Sequence, residues 1–185
     1  FLLGLGVSHA PRVEGMRGHA YGPPVASMRA YLERMRAAPY MAPPPGEPAP
    51  IVLAALGPKM LALAAEHTQG AHPYNVNPEH TARARKIMGP KAWICVEQKV
   101  VLDSDAARAR ATARAALQPY MTLPNYCNNW KRLGFSDSDI AGGGSDKLID
   151  AIVAWGNEEA LRRRVQEHLD AGATQVCIQP LSPPG

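Results

Sequence analysis

The feature that most constrains this chain is a repeated alternation of strand-length apolar runs with helix-length amphipathic ones. Residues 51–73, IVLAALGPKMLALAAEHTQGAHP, show one unit of it. The run 51–55 has strand length, turns through Leu56, Gly57 and Pro58, and passes into helical spacing that lasts to His67. Pro58 stands where the first helical residue belongs, a position that tolerates its missing N–H and fixed φ. Comparable apolar runs at 1–7, 70–74, 93–102 and 174–179 bring the strand count to five. Helical patterns occupy 24–36, 58–67, 78–88, a long alanine- and arginine-rich stretch capped by Ser104 or Asp105, a brief apolar segment 148–154, and a last helix from Asn157 to a stop at Gly172. Near-continuous apolar strands alternating with helices predict a parallel sheet covered by helices. Such sheets are open and doubly wound or closed into an eight-strand barrel. No G-x-G-x-x-G is followed by an acidic residue about 20 positions on, which disfavours the dinucleotide form of the open sheet.

With 185 residues, 46% of them hydrophobic, the chain is long enough for one domain with a sizeable core. Net charge is +4, and the basic residues are scattered along helical segments rather than massed, so no nucleic-acid partner is expected. Arg162, Arg163 and Arg164 read as the solvated face of a helix whose apolar positions are Leu161, Val165 and Leu169. Cys95, Cys127 and Cys177 are odd in number and far apart; Cys95 and Cys177 lie in apolar strands, as buried thiols of a cytoplasmic protein would. No apolar run approaches the ~20 residues of a membrane span. The start, FLLGLG, has neither methionine nor basic n-region and reads like a strand already under way, so a piece of a longer chain is expected.

Chemistry concentrates at the turns that follow strands. The turn at 56–59 presents free N–H groups and the positive end of a helix dipole, which suit a phosphate or carboxylate, and Gly57 lets a ligand approach the backbone. A tight packing turn without a ligand would read the same way. His67, His72 and His80 lack the spacing or acidic partner of a metal site, so no metal is expected. Ser8 and Ser145 lack a nucleophile-elbow context, which argues against hydrolysis. Residues 121–143 combine weak periodicity with turn residues and read as an excursion carrying short helices. Its Tyr126, Trp130 and Phe135 fit the common role of packing anchors.

Five stretches in order, LLGLGVSHAPRVEG, MRAYLERM, PIVLAALGPKMLALAAEHTQGAHPY, NYCNNWKRLGF and AWG…RRRVQEHLDAGATQVCIQPL, resemble the luciferase-like monooxygenase superfamily. More narrowly they resemble its branch of probable oxidoreductases that use the deazaflavin coenzyme F420. The resemblance implies a partial (β/α)8 TIM barrel of the bacterial luciferase-like type. Strands four to eight would be present, strands one to three would be missing, and 121–143 would be a variable insertion within a single incomplete domain, 1–185.

The resemblance also implies a site at the carboxyl ends of the strands. The turn after the fifth strand would hold the cofactor phosphate, which carries onto Ala54, Ala55, Leu56 and Gly57, with Lys59 and Met60 opening the helix behind. Gly6, Val7, Ser8 and His9 would line the cofactor ring, with His9 as acid/base residue, since imidazole titrates near neutral pH. His72 and Tyr74 would line the substrate side. Glu97, Gln98 and Gln179 face either the pocket or the barrel interior, and spacing does not separate these. The activity implied is hydride transfer between coenzyme F420 and a small organic substrate. An FMN-dependent monooxygenase and an inactive truncated relative are the alternatives, and a homodimer is expected as common among relatives.

Overall fold

A computed structural model describes residues 1–43 and 45–183. Its sheet is parallel throughout. Strands β1 (Leu3–Leu5), β2 (Ile51–Leu53), β3 (Gly70–Ala71) and β4 (Trp93–Val101) pair in sequence order, and the last strand, β6 (Gln175–Pro180), pairs with β4. These are the five expected strands. Three are clearly shorter than expected: β1 keeps only Leu3–Leu5 of the run 1–7, Ala54 and Ala55 have already left β2, and His72 and Tyr74 follow β3 rather than ending it.

The described residues add a sixth strand, β5 (Val153–Trp155), where the sequence pattern predicts the end of a helix. Alternate residues of a parallel strand address opposite edges. On β4, Trp93 and Glu97 donate to Gln69 and Pro73 beside β3, and Val101 accepts from Gly156 beside β5. Ile94 and Val100 accept from Thr174 and Leu181 on the other edge. β3 is two residues long and β4 is nine, so the upper half of that edge is open to β5.

Helices connect the strands: α1 (Ala10–Gly15) and α2 (Pro24–Ala37) before β2, α3 (Pro58–His67) and α4 (Pro78–Met88) before β4, α5 (Ala106–Leu117), α6 (Pro124–Arg132), α7 (Asp137–Ile140) and α8 (Asp146–Ile152) before β5, and α9 (Glu158–Asp170) before β6. Proline opens α2, α3, α4 and α6, and the side chains of Asn77, Asp105, Ser136, Ser145 and Asn157 cap α4, α5, α7, α8 and α9. Asp105, not Ser104, is therefore the cap of α5, and α8 starts at Asp146, two residues before the expected apolar segment. No described helix is long and apolar enough to cross a membrane.

Two apolar clusters hold the layers together. One packs α2, α3 and α4 on β2 to β4 through Leu32, Leu53, Leu61 and Ile94; the other surrounds fully buried Trp130 with residues of α5, α8 and β5. On α9 the inward face differs from the expected one. Leu169 is 40% exposed, and His168 is buried in its place. Both His168 ring nitrogens are satisfied there, Nδ1 by Thr81 Oγ1 at 2.8 Å and Nε2 by Gln98 Oε1 at 2.9 Å. Cys95 is buried as expected, but Cys177 is half-buried, because β6 pairs with β4 alone among the described strands.

Candidate active site

All strands point the same way, so the chain leaves β1, β2 and β3 on one side of the sheet. The ladder continues past the strands: Ala54 N–H donates to Leu5 O and His72 N–H to Leu53 O, both at 2.8 Å. The three exits wall a cavity of about 600 Å³. Gly6, Val7, Ser8 and His9 enter from β1, Ala54, Ala55, Leu56, Gly57 and Met60 from the β2–α3 turn, and His72 and Tyr74 from β3. These residues, singled out from the sequence, are thus brought to one cavity, whereas Glu97, Gln98 and Gln179 are not among its lining. Tyr21, Pro24, Val25, Pro58, Lys59, Asn125, Tyr126, Asn128 and Arg132 complete the lining.

At one end stands the mouth of α3. Gly57 has extended backbone and no side chain to cap the helix, and Pro58 has no N–H to offer. Met60 and Leu61 donate to the Gly57 carbonyl at 3.1 and 3.0 Å. Among the described residues, the amides of Leu56, Gly57 and Lys59 have no hydrogen-bond acceptor. Arg132, from the last turn of α6, brings a guanidinium Nη1 to 3.8 Å from the point a Cβ on Gly57 would occupy. Unpaired amides, a helix dipole and a guanidinium converge there, a combination suited to an anion. Behind the turn, buried His80 bonds Leu56 O through Nε2 at 2.9 Å. A carbonyl only accepts, so Nε2 carries the proton. Burial lowers the His80 pKa, the hydrogen bond to Leu56 O opposes this, and Arg83 and Arg132 add to the lowering.

At the β1 corner, Ser8 takes a left-handed φ of 59°, and the Tyr21 hydroxyl donates to its carbonyl at 3.1 Å. His9 follows, its ring 5.7 Å from that of Tyr126. Burial lowers the His9 pKa, Arg12 adds to this, and a hydrogen bond with Asn125 opposes it.

At the β3 corner, His72 Nδ1 donates to Cys95 O at 2.5 Å, and the Tyr74 hydroxyl donates to Gln179 Oε1 at 2.9 Å. Tyr120 donates to the Tyr74 hydroxyl at 3.4 Å, and burial pushes the Tyr120 phenol up to about 12. Glu97 and Gln98, left open by spacing, lie on opposite faces of β4. Glu97 accepts from Lys99 and Asn75, while Gln98 bonds His168, and both are buried. Of the excursion's aromatics, Trp130 and Phe135 are buried anchors, whereas Tyr126 also faces the cavity. Sequence reasoning passed over Arg132, Tyr21, Lys99 and Asn75. Only Lys99 left a local trace, as a charge inside the β-branched run WICVEQKVVL.

The family model described as luciferase-like monooxygenase matches residues 1–175. A 5,10-methylenetetrahydromethanopterin reductase of Methanolobus tindarius is 29% identical over 72% of this chain and 49% of its own. The chain thus spans about half the length of that curated relative. Among solved structures, an F420-dependent secondary alcohol dehydrogenase in complex with an F420-acetone adduct superposes with a TM-score of 0.67, at 14% identity, over 97% of this chain and 63% of that one. The coenzyme F420-dependent tetrahydromethanopterin reductase from Methanopyrus kandleri gives 0.66, at 17% identity, over 97% and 67%. At such identities the superpositions speak for the fold, a half-barrel of the TIM type. The family model spans nearly every element from β1 to the start of β6, and on that match the chain belongs to the luciferase-like monooxygenase family.

Proposed function

We propose that this chain carries the cofactor-holding part of a coenzyme F420-dependent oxidoreductase. One observation carries the proposal: the unpaired amides of Leu56, Gly57 and Lys59 stand beside the Arg132 guanidinium at the end of a cavity large enough for a cofactor. The names of the relatives support the choice of F420, since the superposed dehydrogenase and reductase both use it. When bound, the deazaflavin supplies hydride transfer to or from an organic substrate.

The chain's own residues do the rest. The amides of Leu56, Gly57 and Lys59, in the turn that Ala54 and Ala55 begin and Met60 backs, would hold the phosphate together with Arg132, and Gly6, Val7 and Ser8 would line the ring. His72 and Tyr74 bound the substrate side, and α6, within the 121–143 insertion, closes the cavity with Asn125, Tyr126 and Asn128. His9 is the acid/base residue. With its pKa lowered it is neutral near pH 7, so an imidazole nitrogen is ready to accept a proton.

Fluorescence-quenching titration of the purified protein with coenzyme F420 and with FMN tests this. Binding of F420 in preference to FMN is expected, and Arg132→Ala should weaken it by about tenfold or more, as for loss of a charge-assisted hydrogen bond. Preference for FMN would favour a flavin monooxygenase instead. Binding of neither would sink both and leave an inactive relative.

A further inference from the structure

Lys99 does not line the cavity, yet three of its contacts converge on a residue that does. It projects from β4 into the barrel side of the sheet and is 2% exposed. A buried ammonium is costly unless every N–H is matched. Here Nζ donates to Asn75 Oδ1 at 2.7 Å, Glu97 Oε1 at 3.3 Å and Gln179 Oε1 at 3.4 Å, three acceptors for three protons. The ammonium also lies 3.7 Å from the centre of the Tyr74 ring.

Three of these contacts, those to the ring, Gln179 and Asn75, are handles on Tyr74. The ring is held directly by the cation. The hydroxyl is held through Gln179, which accepts from both Tyr74 and Lys99. The backbone is held through the next residue, Asn75, whose φ of 56° is left-handed and costs about 1 kcal/mol or more for a side chain that is not glycine. That conformation is gripped from three sides: Asn75 N–H donates to Glu97 Oε2 at 3.2 Å, Trp130 Nε1 donates to Asn75 O at 3.0 Å, and Lys99 binds its side chain. A buried ion pair often adds nothing to stability over apolar residues of like volume, so its geometry calls for another use.

We propose that Lys99 is a positioning residue: through the Tyr74 ring, Asn75 and Gln179 it sets the Tyr74 side chain on the cavity wall. The inference deepens the ligand reading of that cavity and rests on it for its importance, though not for its test. Protein labelled with 3-fluorotyrosine gives one ¹⁹F line per tyrosine, and Tyr74→Phe assigns the line of interest.

The double variant Lys99→Met/Glu97→Gln removes the charge without stranding a buried carboxylate. It should shift and broaden the Tyr74 line and leave those of Tyr31 and Tyr40 in place. Lys99→Arg, which keeps a cation, should restore a single sharp line. A Tyr74 line unchanged in the folded double variant overturns the proposal. Should that variant fail to fold by circular dichroism, Asn75→Gly keeps the test open: glycine accepts the left-handed φ while the shortest Lys99 contact is lost. The Tyr74 line is again expected to move, and its constancy would again overturn the proposal. None of these spectra needs a ligand. Failure to bind deazaflavin with an intact Tyr74 response would therefore sink the functional reading alone.

Discussion

His168 shows how a single buried side chain can set the response of the whole protein to pH. Gln98 Nε2 donates to Lys99 O and Ile152 O, so Gln98 Oε1 is left as the acceptor facing the imidazole. Nε2 of His168 therefore carries the proton, and Nδ1 accepts from the Thr81 hydroxyl. Burial, with the charge of Arg164 nearby and a smaller contribution from His80, lowers the His168 pKa to about 4. The unfolded chain binds this proton near pH 6.5 and the folded chain only near pH 4. Between those values the unfolded state holds more protons, so acid favours it. The stability His168 contributes is fully present above pH 6.5 and is lost as pH falls toward 4, by up to about 3 kcal/mol at 1.36 kcal/mol per pH unit. Urea unfolding at pH 7.5 and pH 4.5 measures the loss. His168→Gln keeps one donor and one acceptor without the titration, and most of the drop should disappear. An equal drop in protein and variant would place the acid sensitivity elsewhere.

Among elements, β3 has the least material and the most placed upon it. It is two residues long, both buried, and its exit delivers His72 and Tyr74 to the cavity. It can be that short because Gly70 lets the backbone of Trp93 on β4 come into close contact. A Cβ at Gly70 would overlap the Trp93 carbonyl, which is backbone and has no rotamer to yield. Gly70→Ala is therefore expected to cost about 1–3 kcal/mol and to part β3 from β4. A thermal melt reads the first effect, and weakened ligand binding at the cavity reads the second. A variant as stable as the parent would show that β4 yields. The elements most legible in the sequence are those with strong local punctuation. Both α3 and α4 run from the predicted proline to the predicted last residue, Pro58–His67 and Pro78–Met88. β5 was illegible because the run DAIVAW suits the end of a helix as well as a strand, and only the free edge of β4 above β3 decides between them. Leu169 misled for a similar reason. Apolar spacing named it, whereas Thr81 and Gln98, remote in sequence, draw His168 inward instead. Within the site, the turns at strand ends were readable because glycine and proline mark them. Arg132 was not, since nothing near it in sequence signals that α6 will fold back onto the mouth of α3.

At the scale of the whole molecule, parallel strands gather every functional turn at one edge of the sheet, while the stability that holds them resides in its centre. β4 is paired on both edges and buried from Ile94 to Val101. Its amides should be the slowest to exchange with deuterium, because only global opening frees them. The proline-rich connection between α2 and β2, described over residues 38–43 and 45–50, has no regular structure and should exchange fastest. A ligand acts differently on the two classes of amide. Binding to the folded state slows exchange wherever exchange needs global unfolding, by a factor set by ligand concentration over Kd, regardless of where the ligand sits. The amides of Leu56, Gly57 and Lys59 have no hydrogen bond to break, so they exchange without unfolding and respond only to being covered. On adding coenzyme F420, both β4 and these three amides should slow. If β4 slows while the α3 mouth stays fast, the deazaflavin binds elsewhere on the molecule, and the anion corner that Arg132 completes is a packing turn after all.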